Sequence, residues 1–379
     1  MQSVLDNQTE SDPLPPKGEG REPEAPLKEV RISLNSYQNR YGQLQSTLKT
    51  LQQALATAQA SNNPAEQVNI LKRIGLIHCH LEEYAWGVKC LEQALQIAQS
   101  IGNKASVGVI LNYLGAAYRQ TGQNRKALKA YLQALEIFED SSNKVAIARI
   151  FNQLGDVYNN LGESDWARLC CRKALKIFHD LGNSPDGESA ALYNMGNAYL
   201  QLGRPRQALA VFEQALAIHQ KIHNPLGNSY ASSNSEATIL ESIGTAYVKL
   251  NQEQQAMVFY QQALEIRQVT SKSPNAQARC LDYIGAVHYK LGNQARALLY
   301  HLQALGIMKS LNYTPGGESF SYNTTGYERL LHHLVVVYDR LGLSTQGVKC
   351  YQQAVEIVST FGDNASEEAI WNYCNPDVN

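Results

Sequence analysis

One glycine recurs along this chain and marks off copies of a single unit. Gly75, Gly115, Gly155, Gly196, Gly244 and Gly285 each precede a His or Tyr three residues on (His78, Tyr118, Tyr158, Tyr199, Tyr247 and His288). Val335 with Tyr338 is a seventh, variant copy, and the steps between anchors are 40, 40, 41, 48, 41 and 50 residues. Twelve residues after each anchor stands Gly87, Ala127, Ala167, Ala208, Ala256, Ala297 or Gly347. Nineteen after it stands Ala94, Ala134, Ala174, Ala215, Ala263, Ala304 or Ala354. A fixed period with small residues at fixed offsets specifies a stack of like units, each burying its apolar face only against its neighbours.

Within a copy the apolar period is helical. Val107, Ile110, Leu111, Leu114 and Tyr118 recur at three- and four-residue spacing, which makes one apolar face. Thr121-Gly122-Gln123 breaks the pattern, and glycine there suits a helix C-terminus. Ala127, Leu128, Tyr131, Ala134, Leu135 and Phe138 form a second face, and Ser141-Ser142-Asn143 closes it while offering a cap to the next helix. Each copy is therefore two helices. Gly115 and Ala127 mark where the pair crosses closely; Tyr118 and Tyr131 fill the wedge towards neighbouring helices.

Leu114-Gly115, Tyr118, Ala127, Tyr131 and Ala134 match the tetratricopeptide repeat position for position. Met195-Gly196, Tyr199, Ala208, Phe212 and Ala215 also match, as do Ile243-Gly244, Tyr247, Ala256, Tyr260 and Ala263. Leu154-Gly155, Tyr158, Ala167 and Ala174 match with Cys171 at the aromatic position. The chain thus resembles that family over residues 64–361. Its long period is similar to the long-helix subtype of kinesin light chains, Pins/LGN-type adaptors and bacterial tandem-repeat proteins. The resemblance implies an all-α, right-handed α–α superhelix of about seven helix-turn-helix repeats plus capping helices. The repeats fall near 64–100, 104–140, 144–181, 187–222, 233–271, 274–311 and 326–361.

The ends and interruptions differ from the repeats. Residues 1–28 hold five of the twelve prolines and are expected to be a disordered tail. Residues 29–63, with Leu44, Leu48, Leu51 and Leu55, read as a degenerate helical cap, and 362–379 as a C-terminal capping helix and tail. Val335 replaces the anchor glycine, so the last pair of helices should stand further apart. Long linkers near 223–233 and 311–326, the second carrying Tyr313, Phe320 and Tyr322, read as hinges, binding loops or neutral insertions.

Composition narrows the class of function. Net charge is −1, so nothing marks the chain for nucleic acid or an anionic membrane surface. No apolar run approaches the roughly 20 residues of a membrane-spanning helix, and Met1–Asp6 shows no secretory signal, so a cytoplasmic location is expected. Seven cysteines (Cys79, Cys90, Cys170, Cys171, Cys280, Cys350 and Cys374) form no C-x-x-C, which points to reduced thiols. His78 and His80 point about 200° apart on a helix and do not chelate together. His219 and His223 share a face without a third donor nearby in sequence. Gly18-Glu-Gly20 follows no strand, and there is no P-loop, nucleophile elbow or H-E-x-x-H. Neither a catalytic site nor a cofactor nor a metal is expected.

The resemblance places a concave groove along the first helices. Its lining reads Lys72, Arg73, Cys79 and His80; then Asn112 and Arg119; then Asn152, Asp156 and Asn159; then Asn194 and Asn197. Later copies give Glu241 and Lys249, Asp282 and Lys290, and His332, Asp339 and Arg340. An asparagine amide both donates to and accepts from a peptide backbone, and this row is similar to the asparagine ladders of related grooves. The expected function is a non-enzymatic adaptor holding a peptide or protein segment. Alternatives are a bacterial peptide-sensing regulator that changes superhelical pitch, and an assembly factor for a multi-subunit complex, photosynthetic ones included.

Overall fold

The computed structural model describes residues 24–81, 83–182, 184–222, 230–270, 274–310, 324–343 and 345–347, with residues 349 and 352. Contacts divide the chain into two units, residues 1–40 and 41–379. Helix α1 (Glu24–Ala60) begins in the first unit. The second unit then runs through α2 (Pro64–His80), α3 (Tyr84–Ser100), α4 (Lys104–Gln120), α5 (Asn124–Asp140), α6 (Lys144–Asn160) and α7 (Ser164–Leu181). It continues through α8 (Pro185–Gln201), α9 (Pro205–Ile222), α10 (Tyr230–Lys249), α11 (Glu253–Thr270), α12 (Pro274–Lys290), α13 (Gln294–Ser310) and α14 (Thr324–Arg340). From α2 onward the helices pair as antiparallel hairpins, and each second helix packs on the first helix of the next pair. This is an α–α solenoid, as the period requires.

Local chemistry sets the helix ends. Asn63, Asn103 and Asn143 cap α2, α4 and α6, each accepting a hydrogen bond from the backbone N–H of the third helical residue. Between α4 and α5 the chain reverses at Gly122, whose φ of 71° is the left-handed conformation that glycine adopts freely. The sequence placed a disordered tail up to residue 28, whereas α1 already starts at Glu24. Pro26 falls in its first turn, where a missing N–H breaks no helical hydrogen bond.

Each hairpin closes on its anchor glycine. A Cβ on Gly115 would lie 2.6 Å from the Tyr131 ring, and one on Gly196 would lie 2.4 Å from Phe212. Tyr131 is thus sunk into its own repeat's crossing, fully buried, while Tyr118 leans back on α3 and donates its hydroxyl to Glu92. Cys171 fills the same slot against Gly155 and is buried, a free thiol like the other described cysteines. At the variant copy a Cβ on Gly347 would lie 3.5 Å from the carbonyl of the anchor Val335, against 3.1 Å from the carbonyl of the anchor Gly75 at Gly87. The last pair does stand further apart. At the other end, Leu51 and Ala58 of α1 are buried with Ile70, Ile74 and Ile77 of α2, which closes the first hairpin. The proposed helix in 362–379, the residues after Gly347 other than 349 and 352, the aromatics Tyr313, Phe320 and Tyr322, and His223 lie outside the described residues.

Candidate functional site: a laced groove and its cavities

The first helices of the repeats also meet one another, and polar side chains lace them together. Arg119 of α4 pairs with Asp156 of α6 at 2.7 Å. Burial raises the Asp156 pKa above its ordinary value, and Arg119 opposes that shift. Asn159 of α6 donates to the backbone carbonyl of Asn194 at 2.8 Å, and Asn194 donates to Asn152 Oδ1 at 2.9 Å. Gln201 of α8 donates back to the Asn159 carbonyl at 3.0 Å.

This changes the reading of the asparagine row. Asn159 and Asn194 are buried, and their amides join α6 to α8 instead of facing a ligand. The cause is register: Asn194 stands two residues before its anchor, one position later than Asn112 and Asn152, and so turns towards α6. Asn152 is half-buried and serves as the acceptor of this rung.

In the second half the lacing is ionic. Glu241 of α10 is buried and takes hydrogen bonds from Arg267 at 3.0 and 2.9 Å, from Arg279 of α12 at 2.9 Å and from the Cys280 thiol at 3.2 Å. Asp282 of α12 repeats the arrangement: Arg329 of α14 donates to its Oδ2 at 3.0 Å, and the His333 Nδ1 lies 2.7 Å from Oδ1. Burial opposes ionisation of Asp282, but the neighbouring imidazoles and the Arg329 guanidinium outweigh it and hold its pKa well below the carboxylate range. Glu241 and Asp282 were expected to line the groove as surface groups. Both are instead sealed by an arginine three positions earlier in the following copy's register.

Between α8 and α10 a cavity of about 300 Å³ opens. Tyr193, Asn197, Ser242, Thr245, Arg279 and Tyr283 are among its lining residues. It offers amide, hydroxyl and guanidinium donors beside two aromatic rings. Tyr283 stacks on Tyr260 with centroids 5.1 Å apart, and the Arg329 guanidinium lies 4.9 Å from its ring centroid. A second cavity of about 210 Å³ lies at α4, α5 and α6, lined by Asn112, Tyr113, Phe138 and Arg149 among others.

The remaining expected groove residues are scattered. Lys72 is half-buried with its ammonium 3.4 Å from Asn69 Oδ1, and Arg73 is exposed. Lys249 is exposed, and Lys290 lies 3.8 Å from Glu253 of α11. Of the row, Asn112 and Asn197 line these two cavities. Arg267, Arg279, Arg329, His301 and His333 escaped the sequence reading. Their signal was an internal mismatch: Arg267 falls twenty-three residues after its anchor, where earlier copies carry Phe138 and Phe178.

The family model of the tetratricopeptide repeat matches residues 66–140, 146–221 and 235–310, together more than half of the sequence. The chain belongs to the tetratricopeptide repeat family. Among solved structures it is similar to the apo form of the quorum sensor NprR from B. thuringiensis, with 14% identity over 88% of this chain and 87% of that one, at a TM-score of 0.62. A Rap protein complexed with competence and sporulation factor aligns at 14% identity over 91% of this chain and 89% of its own, also at 0.62. The Rap conjugation gene regulator of plasmid pLS20, in complex with the Phr* peptide, aligns at 15% identity over 81% and 80%, with a TM-score of 0.55. At these identities the likeness is one of fold. A comparison with curated protein sequences finds no match. No helix among the described residues is long and apolar enough to cross a membrane.

Proposed function

We propose that this protein is a non-enzymatic binding scaffold that holds a peptide or an extended protein segment along its first helices, with one ligand side chain in the cavity between α8 and α10. The observation that carries the reading is the contrast within the groove. Neighbouring first helices are laced by their own polar groups from α4 to α8 and again from α10 to α14. Between α8 and α10 there is space, lined by donors and aromatic faces of the kind that fix a ligand's orientation. Asn197 supplies the amide for backbone recognition, Tyr193 and Tyr283 the apolar walls, and Thr245 and Ser242 the hydroxyls. Lys72 and Arg73 play no part in this site.

The test is a selection of peptides from a random library on the immobilised full chain. Affinity of the selected peptides is then measured for Asn197→Ala and Tyr193→Ala. Each substitution should weaken binding tenfold or more, and Asn197→Ala should do so with helicity and melting unchanged. Affinities unmoved by both would remove the cavity from the reading. Asn112→Ala separates the two cavities and should leave this affinity intact.

A second reading, a peptide-responsive regulator, is favoured by one comparison: two of the structural relatives are described as complexes with a peptide or peptide factor. On this reading the peptide closes the α8–α10 gap and alters superhelical pitch. X-ray scattering with and without a selected peptide distinguishes the two: an unchanged radius of gyration leaves only the scaffold.

A further inference from the structure

Asp282, His301 and His333 come from three helices, α12, α13 and α14, and bring their donor atoms to one point. The His333 Nδ1 is 2.7 Å and the His301 Nδ1 is 3.0 Å from the same carboxylate oxygen, Oδ1. All the candidate donor atoms lie within 4.8 Å of one another. Asp282 and His301 are buried, and the His333 side chain, 25% exposed, leaves one side open to solvent.

His301 makes the cluster unlike its counterparts. It occupies the slot that Tyr131, Cys171, Phe212 and Tyr260 fill in other copies, packed on Gly285. Both of its ring nitrogens are buried, and neither makes a hydrogen bond in good geometry. A ring wanted only for packing would be Phe or Tyr, as elsewhere in the stack. Its Nδ1 lies beside Oδ1 without aiming at it. Donors that share a cation sit this way, because each lone pair points to the ion and not to the co-ligand. Metal–ligand bonds of roughly 2.0–2.1 Å at tetrahedral angles put such donors about 3.3 Å apart. The two separations from Oδ1, 3.0 and 2.7 Å, therefore need to widen by roughly 0.3 and 0.6 Å.

We propose that Asp282 Oδ1, His301 Nδ1 and His333 Nδ1 form a binding site for one divalent first-row transition ion, zinc being the best match, clasping α12, α13 and α14 together. Two imidazoles and a carboxylate with a fourth position open to solvent suit zinc and its spectroscopic substitute cobalt. Arg329 holds the other carboxylate oxygen and so orients the ligand from outside the coordination sphere. Its positive charge lowers the affinity for a cation. Each ring would carry its proton on Nε2, so acid competes with the metal. The site is independent of the groove reading, since it needs no peptide.

The experiment uses the full chain, freed of any histidine tag and stripped of metal, titrated with Co²⁺ and followed by visible absorption. The expected result is a ligand-field band that saturates at one ion per chain and disappears when Zn²⁺ is added, with a rise in melting temperature in Zn²⁺. His301→Phe, which copies Phe212 of a sister repeat, and His333→Ala should each lower Co²⁺ affinity at least tenfold, while His80→Ala leaves it unchanged. A wild-type chain that gives no band, or a band that survives in His333→Ala, overturns the proposal. Because His333 is partly exposed, that variant decides the matter even where His301→Phe folds poorly.

Discussion

From α2 to α7, neighbouring hairpins are joined by aliphatic and aromatic side chains, in one unbroken apolar cluster that runs from Val68 to Ala191. From α10 to α14 the apolar clusters are small, and buried carboxylates stand between them, each tied to the next repeat by an arginine. The two regions share one backbone period. They differ at two offsets: Asn112 and Asn152 against Glu241 and Asp282 three residues before the anchor, and Phe138 and Phe178 against Arg267 on the second helix. Small residues at the crossing are what the period demands; what joins one hairpin to the next is open to either chemistry. Apolar contacts tolerate small slides, whereas a buried ion pair holds only in one register and depends on protonation.

The comparison is broken most forcefully at Glu241. Glu241→Ala takes the carboxylate away from Arg267, which is 3% exposed, and should cost about 3–5 kcal/mol in chemical denaturation. Glu241→Leu combined with Arg267→Phe converts this junction to the apolar kind and should recover most of that loss. A double variant as unstable as the single would show that the two chemistries are not exchangeable.

Next in size are the crossings. Gly115→Ala and Gly196→Ala drive a methyl group into Tyr131 and Phe212 and should each cost roughly 1–3 kcal/mol. Gly347→Ala meets only ordinary contacts and should be neutral or stabilising by up to about 1 kcal/mol, because alanine is the better helix former. Equal losses at all three positions would refute the wider spacing of the last pair.

Acid should separate the halves by sign. Burial lowers the pKa of His288, His301 and His332, the last to about 4, with Arg296 adding to the effect at His288 and His333 adding to it at His301 and His332. The folded state then binds fewer protons than the unfolded chain. Their contribution is complete above the ordinary imidazole pKa of roughly 6.5 and is lost as pH falls towards 4. Asp156, raised by burial, works the other way: its cost is felt where it ionises and is relieved as pH falls. Hydrogen exchange at pH 5 against pH 7.5 should show α12–α14 losing protection while α4–α7 keep theirs. Smallest of all, Arg119→Gln removes a partly exposed ion pair and should cost below about 1 kcal/mol.

The solenoid was legible because its rule is periodic: a glycine, a small residue twelve later and an alanine nineteen later can be counted without knowing any contact. The tetratricopeptide pattern followed from Gly115, Tyr118, Ala127 and Ala134 by inspection. The site was harder to read. Side chains three before the anchor face either a ligand or the next repeat, and the difference depends on what the next repeat sends back. Asn152 looks like a ligand-facing amide until Asn194, forty-two residues on, takes it as a partner. Asp282 looks like surface charge until Arg329, His301 and His333 converge on it from 47, 19 and 51 residues away. The cavity between α8 and α10 leaves no mark in either helix's own pattern, because it is a spacing between helices.

The arginine ties also bear on how such an array changes by duplication and deletion. Arg279 of one copy completes Glu241 of the copy before it, and Arg329 completes Asp282 in the same way. Excising α10 and α11 as a cassette would set α12 directly after α9, where Tyr193 stands at the equivalent position of α8 and offers Arg279 no carboxylate. These modules have lost their interchangeability: each is addressed to its successor, and the order of the array is written into its salt links.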